Sequence, residues 1–383
     1  MDEVVRYTYR LRPGRTAETS LLAEWGRCRW LWNEAVHQQK SGRKPTFARL
    51  GKMLTEARAN FQWLREGSQV AQQQTLRDYA QALDHSFTVK GRGRPKVKSR
   101  KASLPSLEYT TRGFSIRDRR LCLPKGITIP VVWSRELPSP STSVRVYRDS
   151  LGCWYASFVV RREIQPPSYG EGAIGIDWGV STTATTTNEA FDLPHRGYRK
   201  RCAAELTRAQ RTMARRHRKG RPQSRGYADA KRRAARLAKK AARQTTHDSR
   251  VWAKRVVHTH DLIAVEDFKP VFLAKSTMAR KAADAAIGVV KRELVERAVR
   301  AGRKVVMVRP AYTTMTCSSC FARAKQRLEL HERDFRCEDC GFADSRDRNA
   351  ARVVLAVAER GHVSVEDVRQ ADHLLRVVGS VAI

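Results

Sequence analysis

Residues 172–179 read GAIGIDWG, an apolar run that ends at an aspartate, Asp177, with a glycine two positions later. A short apolar run bounded in this way predicts a buried strand with a carboxylate at its end. A second run of the same design, DLIAVEDF at 261–268, ends with Glu266. Because strand-like and helix-like patterns alternate over 172–359, we predict an α/β core.

A third carboxylate, Asp347, lies in DSRDRNAA at 344–351, where a helical pattern begins. One carboxylate at a strand end is unremarkable, but three in such places within a basic α/β region favour chemistry on phosphodiesters. Two Mg²⁺ ions roughly 3.5–4 Å apart hold the attacking and leaving oxygens of such a reaction in line. Hard cations of this kind prefer carboxylate oxygens. We therefore expect Asp177, Glu266 and Asp347 to meet, to bind two Mg²⁺ and to be catalytic.

Four cysteines form two CxxC pairs with sixteen residues between the pairs. Two such knuckles place four thiolates around one tetrahedral ion, which suits Zn²⁺. Since protein fills all four positions, no site remains for a substrate water, and we predict one structural zinc. Its ligands are Cys317, Cys320, Cys337 and Cys340.

The charge of the chain indicates its partners. Lys and Arg number 75 against 38 Asp and Glu, a net charge of +37. An excess of this size favours a polyanion as partner. A surface merely rich in Arg would normally carry matching acidic residues, and this chain does not. Two segments concentrate the charge, a flexible basic loop at 90–101 and a helical insertion at 196–260, and we expect both to contact nucleic-acid phosphates.

The amino-terminal half predicts a different architecture. Residues 1–15 and 105–165 show strand patterns that could close a small barrel or sheet, and helical patterns fill 16–88 between them. No apolar run approaches the roughly 20 residues that a membrane helix needs. The first residues also lack the apolar core of a secretory signal. We expect a cytoplasmic, nucleoid-associated protein with no membrane partner.

The order of the motifs resembles one family. GIDWG, IAVEDF, TTMTCSSC, RCEDCG and DRNAA follow one another as in the TnpB family of transposon-encoded RNA-guided DNA endonucleases, which are related to type V CRISPR effectors. YRLRPG, GRCRWLWNEAV, GRGRPKVKSRK and SVRVYRDSLGCWYASFVV extend the resemblance into the amino-terminal half. It thus covers nearly the whole chain up to about residue 360.

The resemblance implies an α/β fold combined with all-β and helical modules. It implies an RNase H-like (RuvC) core with a zinc ribbon insertion, and an amino-terminal wedge-type β-barrel with inserted recognition helices. The implied ranges are the first barrel strand 1–15, the recognition helices 16–89, the rest of the barrel 90–170, the nuclease core 171–312 with its basic helical insertion 196–260, the zinc ribbon 313–343 and the end of the core 344–360. Residues 361–383 match no motif of the family, and we expect a disordered or loosely packed carboxy-terminal tail there.

The resemblance also implies a function. Asp177, Glu266 and Asp347 would be the metal-binding triad, with Asn349 in support of Asp347. A monomer would carry a guide RNA derived from the transposon end and cleave double-stranded target DNA next to a short adjacent motif. The residues that we expect to contact nucleic acid are Gln73 and Thr110 in the recognition helices and barrel, and Arg92, Arg94, Lys96 and Lys98 in the basic loop.

Two departures from the family pattern stand out. Phe321 occupies the place of a usual glycine after the first CxxC, and Ser345 replaces the first Asp of an Asp-Arg-Asp motif. Neither change removes a ligand. Three other functions stay open: an unguided nuclease acting on junctions or nicked DNA, a catalytically silent nucleic-acid-binding regulator, and a transposase that performs strand transfer.

Overall fold

The structure is a computed structural model that describes residues 2–42, 45–100, 102–163, 170, 172–324, 326 and 332–372. The chain divides into two compact units, Met1–Ile164 and Gln165–Ile383. Each unit has its own buried core.

An antiparallel sheet of seven strands forms the β part of the first unit, in the order β2-β6-β7-β1-β5-β4-β3. In β5 every second residue is buried, as expected for a strand with one face on a core. The largest buried side chains on that face include Tyr9, Tyr109 and Phe158. The strands are β1 (Asp2–Leu11), β2 (Ser106–Thr110), β3 (Ser115–Arg117), β4 (Arg120–Leu123), β5 (Ile127–Val132), β6 (Ser143–Arg148) and β7 (Trp154–Glu163).

Four helices lie between β1 and β2: α1 (Arg15–Lys40), α2 (Phe47–Asn60), α3 (Gln62–Arg65) and α4 (Gln69–Thr88). One face of α1 is apolar and buried. Its first half, with Leu21 and Trp25, packs on the sheet. Its second half, with Leu31 and Trp32, packs on α2 and α4. The helical prediction for this part of the chain is therefore confirmed.

The second unit contains a mixed sheet in the order β10-β9-β8-β11-β12. Strand β11 runs parallel to both β8 and β12, whereas β9 is antiparallel to β8. The carboxyl ends of three strands thus lie at one edge of the sheet. These elements are β8 (Ala173–Trp178), β9 (Thr182–Thr186), β10 (Leu193–Pro194), β11 (Leu262–Glu266) and β12 (Lys304–Val308).

Helices cover both faces of this sheet. Ile174 and Ile176 face a cluster that includes Trp252 and Leu294. The helices of this cluster are α6 (Arg225–Thr259), α7 (Ala279–Ala285) and α8 (Ile287–Arg300), and α5 (Tyr198–Arg216) packs on α6. Helices α5 and α6 make up the basic segment 196–260, where the sequence predicted a helical insertion.

Helix α9 (Arg346–Glu359) packs on the opposite face. Its approach is close, because a Cβ added at Gly175 would lie 2.0 Å from the Ala351 backbone oxygen. Only glycine allows this contact. A short hairpin, β13 (Asp334–Arg336) and β14 (Ala343–Ser345), leads into α9.

The prediction of a loosely packed tail at 361–383 is wrong for its first part. Residues 365–372 are helical. Val365 and Val368 are buried in one cluster with Val357 of α9. The remainder, 373–383, lies outside the described residues.

Candidate functional site

The three predicted carboxylates come from adjacent elements of the second unit. Successive side chains of a strand point to opposite faces, so Asp177 shares the face of Gly175, on which α9 packs. By the same rule Glu266, the last residue of β11, shares the face of Ala264, which packs in one cluster with α9. Asp347 is the second residue of α9. The structure therefore brings all three side chains to one face, at the carboxyl ends of β8 and β11.

Asp177 and Glu266 form the closer part of this group. Their carboxyl groups are near enough to act on each other, and the charge of Asp347 also acts on Asp177. Asp177 is 6% exposed and Glu266 is 5% exposed, whereas the Asp347 side chain is 33% exposed. An Asp347 carboxylate oxygen lies 3.9 Å from the guanidinium of Arg333. Asp347 thus stands at the rim of a buried pair.

Burial dominates the electrostatics of the pair. It raises the pKa of Glu266 to about 7. It raises the pKa of Asp177 well above its ordinary value, and the charges of Glu266 and Asp347 add to that rise. A desolvated carboxylate beside another carboxylate favours its protonated form. Without a cation, the pair therefore retains a proton near neutral pH.

This donor set fits hard divalent cations. It offers carboxylate oxygens, which Mg²⁺ prefers over nitrogen and sulfur. A cation would remove the mutual repulsion that raises the Asp177 pKa. Unlike the cysteine sulfur atoms described below, the oxygens of the three carboxylates do not all lie within 4.8 Å of one another.

Several neighbours of the triad were not predicted from the sequence. The Thr313 hydroxyl donates to the Glu266 carboxylate at 3.1 Å. The Trp178 indole N–H donates to the Glu266 backbone oxygen, also at 3.1 Å. Arg348 donates to the Thr186 backbone oxygen at 2.7 Å and so joins the start of α9 to β9. The only sequence signal for Thr313 is its place just before the first CxxC.

Asn349 makes contacts that differ from the expected support of Asp347. Its side-chain N–H donates to the Thr316 backbone oxygen at 2.8 Å, and its side-chain oxygen accepts from the Ser318 N–H at 2.9 Å. The residue is fully buried. Asn349 therefore joins α9 to the first cysteine knuckle, and any effect on Asp347 is indirect.

The four predicted zinc ligands form a compact group. Cys317 Sγ lies 3.7 Å from Cys340 Sγ, and Cys320 Sγ lies 3.6 Å from Cys337 Sγ. Zn–S bonds of about 2.3 Å in a tetrahedral site place sulfur atoms about 3.8 Å apart. Among the residues that the structure describes, these cysteines alone place one ligand atom each within 4.8 Å of all the others. The cluster fits a zinc ribbon.

Phe321 explains how the first knuckle functions without the usual glycine. Its φ of 61° lies in the left-handed region, which is unfavourable for a bulky residue. Its ring is buried in the cluster of α9, and the Arg360 guanidinium lies 4.2 Å from the ring centroid. The burial of an aromatic ring offsets the backbone strain.

The basic loop at 90–101 is hydrogen-bonded to α1 at residues 96–98. The Trp32 indole N–H donates to the Lys96 backbone oxygen at 2.9 Å, and the Lys98 N–H donates to the Asn33 side chain at 2.8 Å. The Lys98 ammonium lies 3.3 Å from the centroid of the Trp32 ring, and burial lowers the Lys98 pKa to about 8. The prediction of a flexible loop is therefore wrong at 96–98. Lys98 is half-buried, unlike its exposed basic neighbours in the loop, and its role as a phosphate contact stays a prediction.

The other predicted nucleic-acid contacts have accessible side chains. Arg92, Arg94 and Lys96 are exposed in the loop, and Gln73 is exposed on α4. Thr110 ends β2 and is half-buried. Their roles stay predictions.

Within the described part of the chain, no helix combines the length and apolarity that crossing a membrane requires.

Two family models match the chain: "Probable transposase" at residues 157–274 and "Cas12f1-like, TNB domain" at 288–354. The solved complex of Cas12f1 with sgRNA and target DNA superposes with a TM-score of 0.56. That superposition covers 92% of this chain and 98% of that chain at 12% identity, a likeness of fold.

Two curated proteins are similar over nearly their whole length. "Putative RNA-guided DNA endonuclease InsQ" of Escherichia coli (strain K12) is 26% identical over 382 residues, 93% of this chain and 92% of the relative. "Putative RNA-guided DNA endonuclease" of Streptomyces pristinaespiralis is 30% identical over 373 residues, 93% of this chain and 90% of the relative. This similarity shows that the chain belongs to the TnpB family of transposon-encoded RNA-guided DNA endonucleases.

Proposed function

We propose that this protein carries a transposon-derived guide RNA and cleaves double-stranded DNA beside a short adjacent motif, by two-metal-ion hydrolysis. The observation that supports this most is the placement of Asp177, Glu266 and Asp347 on one face of the sheet, at the carboxyl ends of β8 and β11. The positive charge of the chain and its similarity to RNA-guided endonucleases point the same way.

The fold is consistent with a RuvC-like core in the second unit. A mixed sheet with parallel central strands, an antiparallel neighbour and α9 across one face supports an RNase H-like assignment. The cysteine cluster lies between β12 and α9 in the chain, where a zinc ribbon insertion is proposed. The curled sheet of the first unit would be the wedge barrel, and α1 to α4 would be the recognition helices.

Each carboxylate has a distinct part in the proposed reaction. When bound, two Mg²⁺ ions supply charge neutralisation and an activated water for an in-line displacement. Asp177, between the other two, would be the shared ligand. Glu266 would complete the buried side, with its orientation held by Thr313. Asp347, partly exposed, would complete the side that faces the substrate.

Base pairing between guide RNA and target would supply sequence specificity, while the protein holds the backbones. The hairpin of α5 and α6 is suited to that task. Residues 196–260 hold 22 Lys and Arg against three acidic residues, and α5 buries a single alanine along 19 residues. Most of this charge therefore faces solvent and can meet phosphates.

The test compares Asp177→Ala with Asp229→Ala, which removes an exposed carboxylate from α6. Both variants are purified with their copurified RNA and assayed with Mg²⁺ on duplex DNA that matches the guide. We expect Asp177→Ala to lose cleavage and keep RNA-dependent DNA binding, and Asp229→Ala to cleave normally. Cutting by purified Asp177→Ala would remove the triad assignment. Cutting by the parent without any RNA of discrete length would favour the unguided nuclease instead.

A further inference from the structure

The zinc ribbon contacts the segments that carry two of the three carboxylates. On the side of β12, Thr313 precedes Cys317 by four residues and donates to Glu266 at 3.1 Å. Thr313 is fully buried. Its turn is closed by the Tyr312 backbone oxygen, which accepts from the N–H groups of Met315 and Thr316 at 3.0 and 3.1 Å.

The same ribbon holds the start of α9. Asn349 bridges the Thr316 oxygen and the Ser318 N–H, which flank Cys317 in the first knuckle. The Arg346 N–H donates to the Arg333 backbone oxygen at 2.7 Å, and this joins α9 to the segment before the second knuckle. Asp347 lies between these two attachment points in sequence.

The Thr313 contact has a physical consequence for Glu266. A hydroxyl has one proton, and Thr313 has two acceptors at 3.1 Å, the Glu266 carboxylate and the Pro310 backbone oxygen. A charged acceptor forms the stronger hydrogen bond, so ionised Glu266 takes the proton. This hydrogen bond orients the Glu266 side chain.

We propose that the zinc ribbon sets the geometry of the carboxylate site, with Thr313 as the positioning residue for Glu266 and Asn349 as the positioning residue for the Asp347 segment. This inference rests on the proposed nuclease function and deepens it. An intact ribbon is then required for full affinity of the triad for divalent cations, although the zinc takes no part in the chemistry.

The test uses Thr313→Val, which keeps the shape and removes the hydroxyl, and Thr313→Ser, which keeps the hydroxyl. The probe is Mn²⁺, measured by electron paramagnetic resonance on the full-length protein with its copurified RNA. An Asp177→Asn complex of equal RNA content gives the Mn²⁺ bound elsewhere, which is subtracted. Loss of a partner that orients a metal ligand costs about 10- to 100-fold in metal affinity. We therefore expect Thr313→Val to raise the half-saturating Mn²⁺ concentration about tenfold or more, and Thr313→Ser to stay within about threefold of the parent.

Zinc content and melting temperature accompany each measurement, so that an unfolded ribbon is recognised. Equal Mn²⁺ affinity in the parent and folded Thr313→Val would overturn the inference, and so would a Ser variant as weak as the Val variant. A parent that binds no Mn²⁺ beyond the Asp177→Asn complex would instead defeat the proposed nuclease site. Asn349→Ala that retains its zinc should also bind Mn²⁺ more weakly, and unchanged affinity there would refute the part assigned to Asn349.

Discussion

Glu266→Gln should stabilise the protein in the absence of divalent cations while it abolishes cleavage. Glu266 is 5% exposed and lies against Asp177, so its ionised form is unfavourable in the folded chain. Gln keeps the size of the side chain and an oxygen that can accept from Thr313. It removes the charge that a cation would neutralise.

The magnitude follows from the raised pKa. Burial raises the pKa of Glu266 from 4.5 to about 7. The folded chain therefore holds a proton that the unfolded chain releases, and stability falls as pH rises from the lower value to the higher one. Above about pH 7 the free energy of unfolding of the parent is lower by the full difference, about 3 kcal/mol, than it is with Glu266 protonated in both states. At about pH 5 the loss is under about 1 kcal/mol, because the unfolded glutamate is itself partly protonated.

The assay is thermal unfolding of the parent, Glu266→Gln and the exposed control Asp229→Asn, without added divalent cations. A gain of about 3 kcal/mol in a unit of this size corresponds to roughly 6–12 °C. We expect that gain for Glu266→Gln at about pH 8 and little change at about pH 5, with the control unchanged at both. An equal shift at both pH values, or none at the higher pH, would show that an ionised, desolvated Glu266 does not limit stability.

Three further results are expected. Cleavage at fixed Mg²⁺ should rise with pH through about 7, because protonated Glu266 is a poor ligand; a rate that stays level across this range contradicts its role. Cys337→Ser should lose zinc and melt at a lower temperature, since structural zinc contributes folding energy; atomic absorption and calorimetry check this, and a parent without zinc counts against it. Arg94→Ala should make the negative slope of log affinity for RNA against log salt shallower by about 1. Lys98→Met should leave this slope unchanged, because the Lys98 ammonium faces Trp32. Equal slopes for both variants would remove the distinction between the two residues.

Local patterns were enough to find the elements of this chain and its ligand residues. Apolar runs ending at Asp177 and Glu266 predicted two buried strands, and both carboxylates lie at or next to the ends of those strands. The spacing of the cysteines predicted a metal cluster, and the thiolates converge. Patterns of this kind work because burial at period two and ligand spacing are short-range properties of the chain.

Partners between distant segments were decided only by the tertiary structure. No pattern along the chain joins Thr313 to Glu266, 47 residues away, or Asn349 to the first knuckle rather than to Asp347. The sequence also did not show that the Lys98 ammonium lies over the ring of Trp32, 66 residues earlier. Such contacts depend on which faces of two elements meet, and a period along one segment contains no information about the other. The amino-acid sequence therefore determined which groups this protein uses, and the packing of α9 and the zinc ribbon against the sheet determined how they are held.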